Sequence, residues 1–344
     1  MTYILPPEWA AQSGVMLTWP HAKRYWKNPL AVEPTFVNMA RAISLKEPVL
    51  ISCYCQEHLQ HVKNLLTQAG ALLNNIRLYV APSNDIWVRD HGPITVLKNG
   101  KPTLLDFQFN SWGGKYPGED DNLVTTRLHK QQAFATTPLE HVNVILEGGS
   151  IEVNGAGVML TTSHCILNKN RNKDFTKQSW ETIFAKWFGI KHILWLEHGG
   201  LAGDDTDSHI DTLARFTDEN TICYVRCDDP DDEHYTELQK MELELQAFRN
   251  LDGKPFRLVP LPWPKAKFDE EGKRLPATYA NFLIINQAVL VPTYADPADE
   301  EALAQIQLCF PDRSIIGIDC LKVIPQYGSL HCVTMQLPAG VIPS

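Results

Sequence analysis

The stretch Gly203–Asp211 reads Gly-Asp-Asp-Thr-Asp-Ser-His-Ile-Asp. It places four carboxylates and one imidazole within eight residues, just ahead of an apolar, strand-like segment. Burying that much charge is costly unless each group has a partner or a ligand. Cys332 follows Gly328 and His331 near the C-terminal end and is the candidate nucleophile. A cysteine nucleophile needs a group that moves protons, and that group needs an orienter. His209 can move protons. Glu147 closes an apolar run and precedes two glycines, which places it in the interior or in a cleft. A buried glutamate needs a partner, and Glu147 could orient His209. Asp90 and Asp211 are then left over. Two spare carboxylates beside a thiol suit a planar cation with several N–H donors, and a guanidinium has that shape.

Other readings compete. Asp204, Asp205, Asp207, His209 and Asp211 could ligate a divalent ion. That reading leaves Cys332 and Asp90 without a role. A catalytically dead binder of polyamines is a second alternative, and the complete set of Cys, His, Glu and two Asp argues against it. The cysteines at 53, 55, 165, 223, 227, 309, 320 and 332 are scattered. Cys53 with Cys55, and Cys223 with Cys227, are too loose for a zinc site and read as small core hydrophobes.

The elements that must hold these residues alternate between strand and helix. Val15–Trp19 is a short apolar strand, and residues 32–46 are helical, with Phe36, Met39, Ala40 and Ile43 on one face. A buried strand follows Pro48, a second helix spans 56–69, and Ile76–Val80 is a strand. Between 83 and 96, Asp85, Arg89 and Asp90 interleave with Ile86, Trp87 and Val88, which reads as a loop with an Arg–Asp pair. Lys98-Asn-Gly-Lys and Asn154-Gly155 mark hairpin turns. Residues 104–116 read as a strand ending in a glycine turn. Helices are expected near 122–134, 174–188, 231–249 and 297–308. A charged loop is expected at 265–275 and a hairpin around Asn286-Gln287. The unit "hairpin, helix, strand" recurs about five times without sequence identity between copies. This pattern argues for an α/β fold.

The chain has 344 residues, 44% hydrophobic and 21% charged, which is ample for a sizeable core. No low-complexity linker splits it, so one domain over 1–344 is expected. A net charge of −9 argues against nucleic acid and favours a cationic small-molecule partner or a plain surface. The N-terminal residues lack the basic and apolar regions of a signal peptide, and no apolar run approaches a membrane span. These features point to a cytoplasmic protein with reduced thiols and no membrane partner. The oligomeric state is left open, with a homo-oligomer among the options.

Six motifs in order resemble the agmatine deiminase family of the guanidine-modifying superfamily, over nearly the whole chain. They are Asn84-Asp-x-Trp-x-Arg-Asp90-x-Gly-Pro, Phe109-Asn-Ser-Trp-Gly-Gly, Glu147-Gly-Gly-Ser, Leu167-Asn-Lys-Asn-Arg-Asn, Gly203-Asp-Asp-Thr-Asp-x-His209-x-Asp211 and His331-Cys332-x-Thr-x-Gln. The resemblance implies a five-bladed α/β propeller (the pentein fold) with pseudo-fivefold symmetry, and cofactor-free, metal-free hydrolysis of a guanidinium. It implies Cys332 as nucleophile, His209 as acid and base, Glu147 as its partner, and Asp90 and Asp211 as holders of the guanidinium nitrogens. Trp87 would line the pocket and Asp205 would add a substrate-side carboxylate. With agmatine as substrate, Asp205, Asp85 and the faces of Trp87 and Trp112 are candidates near the ammonium end. Peptidyl-arginine is the runner-up substrate. Many family members carry Gly at the position of Ser208, and a glycine-richer run than Gly328-Ser-Leu.

Overall fold

The computed structural model describes residues 2–23, 26 and 28–343. Its sheets repeat one pattern five times. An antiparallel hairpin leads into a helical crossover, and the chain returns as a strand parallel to the second strand of the hairpin. The first such unit is Ile94–Lys98, Lys101–Gln108 and Leu139–Ile145. The second is Ile151–Val153, Val158–Thr162 and His192–Leu196. The third is Ala214–Asp218, Thr221–Val225 and Arg257–Leu261. The fourth is Leu283–Ile285, Ala288–Thr293 and Ser314–Asp319. The fifth uses both ends of the chain. Met335–Pro338 pairs antiparallel with Gln12–Thr18, which lies parallel to Val49–Cys53, which lies parallel to Ile76–Val80. A parallel return needs a crossover. Helices Val124–Lys130, Lys177–Phe188, Tyr235–Ala247, Asp299–Cys309 and Glu33–Ser44 supply it. The architecture is the five-bladed α/β propeller, and the recurring unit in the sequence is its blade.

Local chemistry explains the elements. Helix Lys177–Phe188 starts at a capping box between Thr176 and Ser179 and stops at Gly189, whose φ of +70° suits glycine. Its Trp180, Phe184 and Phe188 are buried and stack on one another. Gly155, with φ of +76°, closes the Asn154-Gly155 turn. Three segments differ from expectation. Val88–His91 forms one helical turn inside the expected loop. The charged loop holds a small hairpin, Lys267–Phe268 with Arg274–Leu275. The glycine turn after Gln108 is left-handed from Ser111 to Gly114, with φ of +54°, +56°, +91° and +81°. Among the described residues no helix is long and apolar enough to cross a membrane.

The repeat has a consequence for chemistry. Asp90, Glu147, Asp211, Asn281 and Cys332 each precede the first strand of a hairpin by two to four residues. The five equivalent positions therefore face one another at one end of the pseudo-fivefold axis. The hairpin turns lie at the other end, where Pro7 packs against Gly155 and Gln12 bonds Asn286.

Leu337 is fully buried on the strand that closes the ring. Leu337→Ala should lower stability by about 2–5 kcal/mol. Urea denaturation checks this; a loss below about 1 kcal/mol would mean that ring closure does not depend on this strand.

Candidate active site

Cys332 sits in the turn before Met335–Pro338 and is 4% exposed. Asn281 fixes that turn. Its Oδ1 accepts the N–H groups of His331 (2.8 Å) and Cys332 (3.3 Å), and its Nδ2 donates to Cys332 Sγ (3.3 Å). Arg89 N–H donates to the Cys332 carbonyl (3.2 Å). The thiol lies 3.7 Å from Asp211 Oδ2.

His209 is fully buried, and its Nε2–H donates to Glu147 Oε2 at 2.8 Å. Arg171 clamps the far side of Glu147, with Nε 2.7 Å from Oε1 and Nη2 2.9 Å from Oε2. It also bonds Asp207 Oδ2 (2.7 Å) and the Thr206 carbonyl (2.9 Å), which ties the acidic stretch to Glu147. Asp90 accepts Gly149 N–H at Oδ1 (3.0 Å) and the Trp112 indole N–H at Oδ2 (2.9 Å). Each oxygen keeps a lone pair for another donor. Trp112 reaches Asp90 from the left-handed turn. Its two non-glycine residues, Ser111 and Trp112, each cost about 1–2 kcal/mol in that conformation. Asn110 holds the turn by accepting Gly113 N–H at 3.0 Å.

Two polar atoms of the site, His209 Nδ1 and Asp211 Oδ1, are buried with no hydrogen-bond partner among the described residues. A buried group left this way marks where a ligand or water belongs. Gly149 is required beside them. A Cβ there would lie 2.6 Å from His209 Nδ1 and 2.9 Å from Asp90 Oδ1.

The charge states follow from burial and neighbours. Burial, then Asp211 and Asp90, pushes the Cys332 thiol well above its ordinary range, so it is neutral in the empty site. Burial also raises Asp90, to about 6, with Glu147 and Asp211 adding and His209 opposing. For His209, burial opposes the charge, but Asp90, Cys165 and Glu147 outweigh it and keep the imidazolium. Burial likewise opposes ionisation of Glu147, and His209 with Arg171 overcomes it. Asp211 is held low against burial chiefly by His331.

A cavity of about 460 Å³ opens onto Cys332 and Asp90. Its walls include Trp26, Trp87, Trp112, Tyr116, Tyr327 and Asp205. Gly328 lets Trp87 lie flat there, since a Cβ would sit 2.3 Å from the indole. Asp205 accepts the Tyr116 hydroxyl and lies 3.6 Å from Lys115 Nζ. Asp85 is not among the described residues that line this cavity; it is buried, and its carboxylate accepts its neighbour Ile86 N–H (2.7 Å).

The acidic stretch does not converge on one point. Asp204 bonds Thr206 and Ser208 N–H groups, Asp205 meets Tyr116, Asp207 meets Arg171, and Asp211 meets His331. That removes the divalent-ion reading of Asp204–Asp211. Glu147, Cys165 and His209 do cluster tightly, but a cation there would have to displace Arg171 from both oxygens of Glu147. Ser208 stands at φ of +70°, which explains why glycine is at home in that position. Sequence reasoning missed Asn281, Arg171, Tyr116 and His331 as site residues. The signal for Asn281 was present: a polar residue just ahead of an apolar hairpin strand, as at Asp90 and Glu147.

Residues 4–338 match the model of the Porphyromonas-type peptidyl-arginine deiminase family. The chain belongs to that family. It is 47% identical to a Porphyromonas gingivalis protein provisionally described as an arginine deiminase, over 99% of this chain and 100% of the other, with a TM-score of 0.93. It is 41% identical to a cysteine-to-serine variant of C. jejuni agmatine deiminase with substrate bound, over 98% and 96%, with a TM-score of 0.90. A Shewanella baltica protein provisionally named agmatine deiminase is 32% identical over 98% of this chain and 95% of its own length.

Gly149→Ala should push His209 and Asp90 apart and slow turnover by about a hundredfold or more, the scale of a 1 Å misplacement. Steady-state kinetics on the folded variant check this; activity within about threefold of wild type would show that the convergence at Gly149 is dispensable.

Proposed function

We propose that the protein hydrolyses agmatine to N-carbamoylputrescine and ammonia through a covalent amidino-cysteine on Cys332. It is a hydrolase of C–N bonds in linear amidines. The observation that carries this reading is a buried thiol 3.7 Å from Asp211 Oδ2 that opens onto the same cavity as Asp90; these carboxylates and burial keep it neutral. Such a thiol is a poor nucleophile until a cation neutralises its surroundings. A guanidinium does so, and its N–H groups meet the free lone pairs of Asp90 and Asp211. Binding then releases the thiol proton to solvent through the cavity, and the thiolate attacks the guanidinium carbon. His209, held as imidazolium by Glu147, donates its proton to the departing ammonia. The neutral imidazole next takes a proton from water, whose oxygen attacks the amidino carbon. Collapse expels the Cys332 sulfur, which takes up the hydroxyl proton as the thiol is restored, and leaves the neutral ureido product. That product is neutral at the reacting end, so the aspartates lose their hold and release follows.

The far end of agmatine is an ammonium. Aromatic faces of Trp87 and Trp112 can hold a cation for roughly 0.5–2 kcal/mol, and Asp205 adds a carboxylate. Free arginine would bring its own carboxylate there. No described Lys or Arg lines the cavity, and Asp205 and Asp90 would repel it. Peptidyl-arginine is the second reading, favoured by the family name and by a 42%-identical relative provisionally described as a peptidyl-arginine deiminase.

Ammonia release from agmatine, arginine and a peptidyl-arginine decides between them. kcat/KM for agmatine should exceed that for arginine at least about a hundredfold, roughly 2.7 kcal/mol. Cys332→Ala should abolish turnover and chelators should leave it unchanged. Faster release from peptidyl-arginine would replace the substrate and keep the chemistry.

Asp90 also sets a pH dependence. Its folded pKa of about 6 lies above the ordinary 3.8. Between these values the empty folded protein binds a proton that the unfolded chain does not, so ionising Asp90 destabilises the fold as pH rises through that window. A guanidinium needs the ionised form. KM should therefore rise about tenfold per pH unit below about 6. A flat KM from pH 5 to 8 would exclude Asp90 as a guanidinium holder.

A further inference from the structure

Beneath the site, the axis of the propeller is filled by polar side chains from the first strands of the hairpins. The second residues of those strands are Thr95, Glu152, Arg215, Ile284 and Gln336. The N-terminal segment crosses the far end of the axis and inserts Glu8 among them. Glu8 Oε2 accepts Arg215 and the Gln336 amide (2.8 Å); Glu8 Oε1 accepts Arg89 (3.2 Å) and His331 Nε2–H (2.8 Å). The other ring nitrogen of His331 donates to Asp211 Oδ2, also at 2.8 Å. An unbroken chain of hydrogen bonds thus runs from Glu8 through His331 to Asp211, the carboxylate beside Cys332.

We propose that His331 and Glu8 are positioning residues that hold Asp211 ionised and aimed at the guanidinium. This inference rests on the assignment of Asp211 above. Its physical basis is a proton count. Both nitrogens of His331 lie 2.8 Å from carboxylate oxygens, and each contact needs a hydrogen. The imidazolium supplies both. Burial, then Arg215 and Arg89, hold His331 below its ordinary range against Glu8 and Asp211, whereas the contact geometry points to the charged form. The two short contacts decide the matter, because a bare ring nitrogen facing a carboxylate at that distance would be repelled. Glu8 is the group that makes the charge tolerable, since it is the carboxylate on the side where Arg89 and Arg215 converge. Glu152, bonded to Arg215 at 2.7 Å, balances that second guanidinium. With its Oδ2 occupied by His331, Asp211 keeps a partnerless Oδ1 for a substrate N–H. The Glu8 end is reachable from a second cavity of about 610 Å³ on the hairpin-turn side, lined by Glu8, Arg89, Thr95, Glu152 and Gln336. Protons can therefore reach the chain without passing Cys332.

The test has two arms. In wild-type protein labelled with ¹⁵N-histidine, the His331 signals, assigned by their loss in His331→Asn, should show both ring nitrogens protonated at pH 7 to 8. A neutral tautomer would overturn the proposal. In kinetics, Glu8→Gln and His331→Asn should raise KM for agmatine about tenfold or more while kcat stays within about threefold, the signature of weakened charge-assisted binding. Asn can keep a donor near Asp211 but breaks the link to Glu8, so His331→Asn separates the charge from a single hydrogen bond and serves if Glu8→Gln fails to fold. An unchanged KM in both, or an equal fall in kcat alone, would refute the positioning role. A wild-type protein that ignores agmatine would refute the substrate reading, and the ring-nitrogen spectra would still judge the relay.

Discussion

Burial of carboxylates governs this structure. Glu147, Glu152 and Asp211 are each 2% exposed or less. A carboxylate without water must be met by fixed donors or become neutral. The chain meets the demand with Arg171 on Glu147, His331 on Asp211, and Arg215 on Glu152 and Glu8. His331 and Arg215 come from distant parts of the sequence, and their pairings fix one blade relative to another, while Arg171 and Glu147 tie the second blade to itself. Two of these groups lose their ordinary acidity: burial lifts Glu152 to about 8 despite Arg215, and lifts Asp90, whose donors are neutral N–H groups, to about 6.

The fivefold repeat turns this constraint into a site. Five equivalent chain segments end at one face of the ring and deliver Asp90, Glu147, Asp211, Asn281 and Cys332 to a small volume. A ring of repeats makes the side chains converge without a long loop. The cores beneath are ordinary apolar packing, as in the stack of Trp180, Phe184 and Phe188. Positive φ at non-glycine residues occurs in hairpin turns, as at Asn99 and Gln287, and also at the rim of the site, at Ser111, Trp112, Asp207 and Ser208. Trp112 donates to Asp90 and Asp207 accepts from Arg171, so this part of the left-handed backbone lies where the site is shaped.

The N-terminal segment has a larger part than its composition suggests. Leu5–Ala11 holds no regular element, yet Glu8 gathers Arg89, Arg215, Gln336 and His331 on its two oxygens. It closes the axis from the side opposite the thiol. The ring is closed a second time by the pairing of Met335–Pro338 with Gln12–Thr18. Both ends of the chain thus meet at the blade that carries Cys332.

By itself the sequence determined the blades and the reactive set. Hairpin turns, helical periodicity and caps are local, so Asn154-Gly155 and the helix at Lys177–Phe188 could be read directly. Cys332, His209, Glu147, Asp90 and Asp211 stood out because charged or reactive residues beside apolar strands need a reason to be there. Only the tertiary structure decided which carboxylates face the thiol. Asp85 and Asp90 lie five residues apart in one motif, and a single helical turn sends one to Ile86 and the other to the cavity. Glu8 and His331 are 323 residues apart, and no local pattern links them. Hydrogen bonds between blades depend on ring closure, which is set by the packing of all five units together and not by any one stretch of chain.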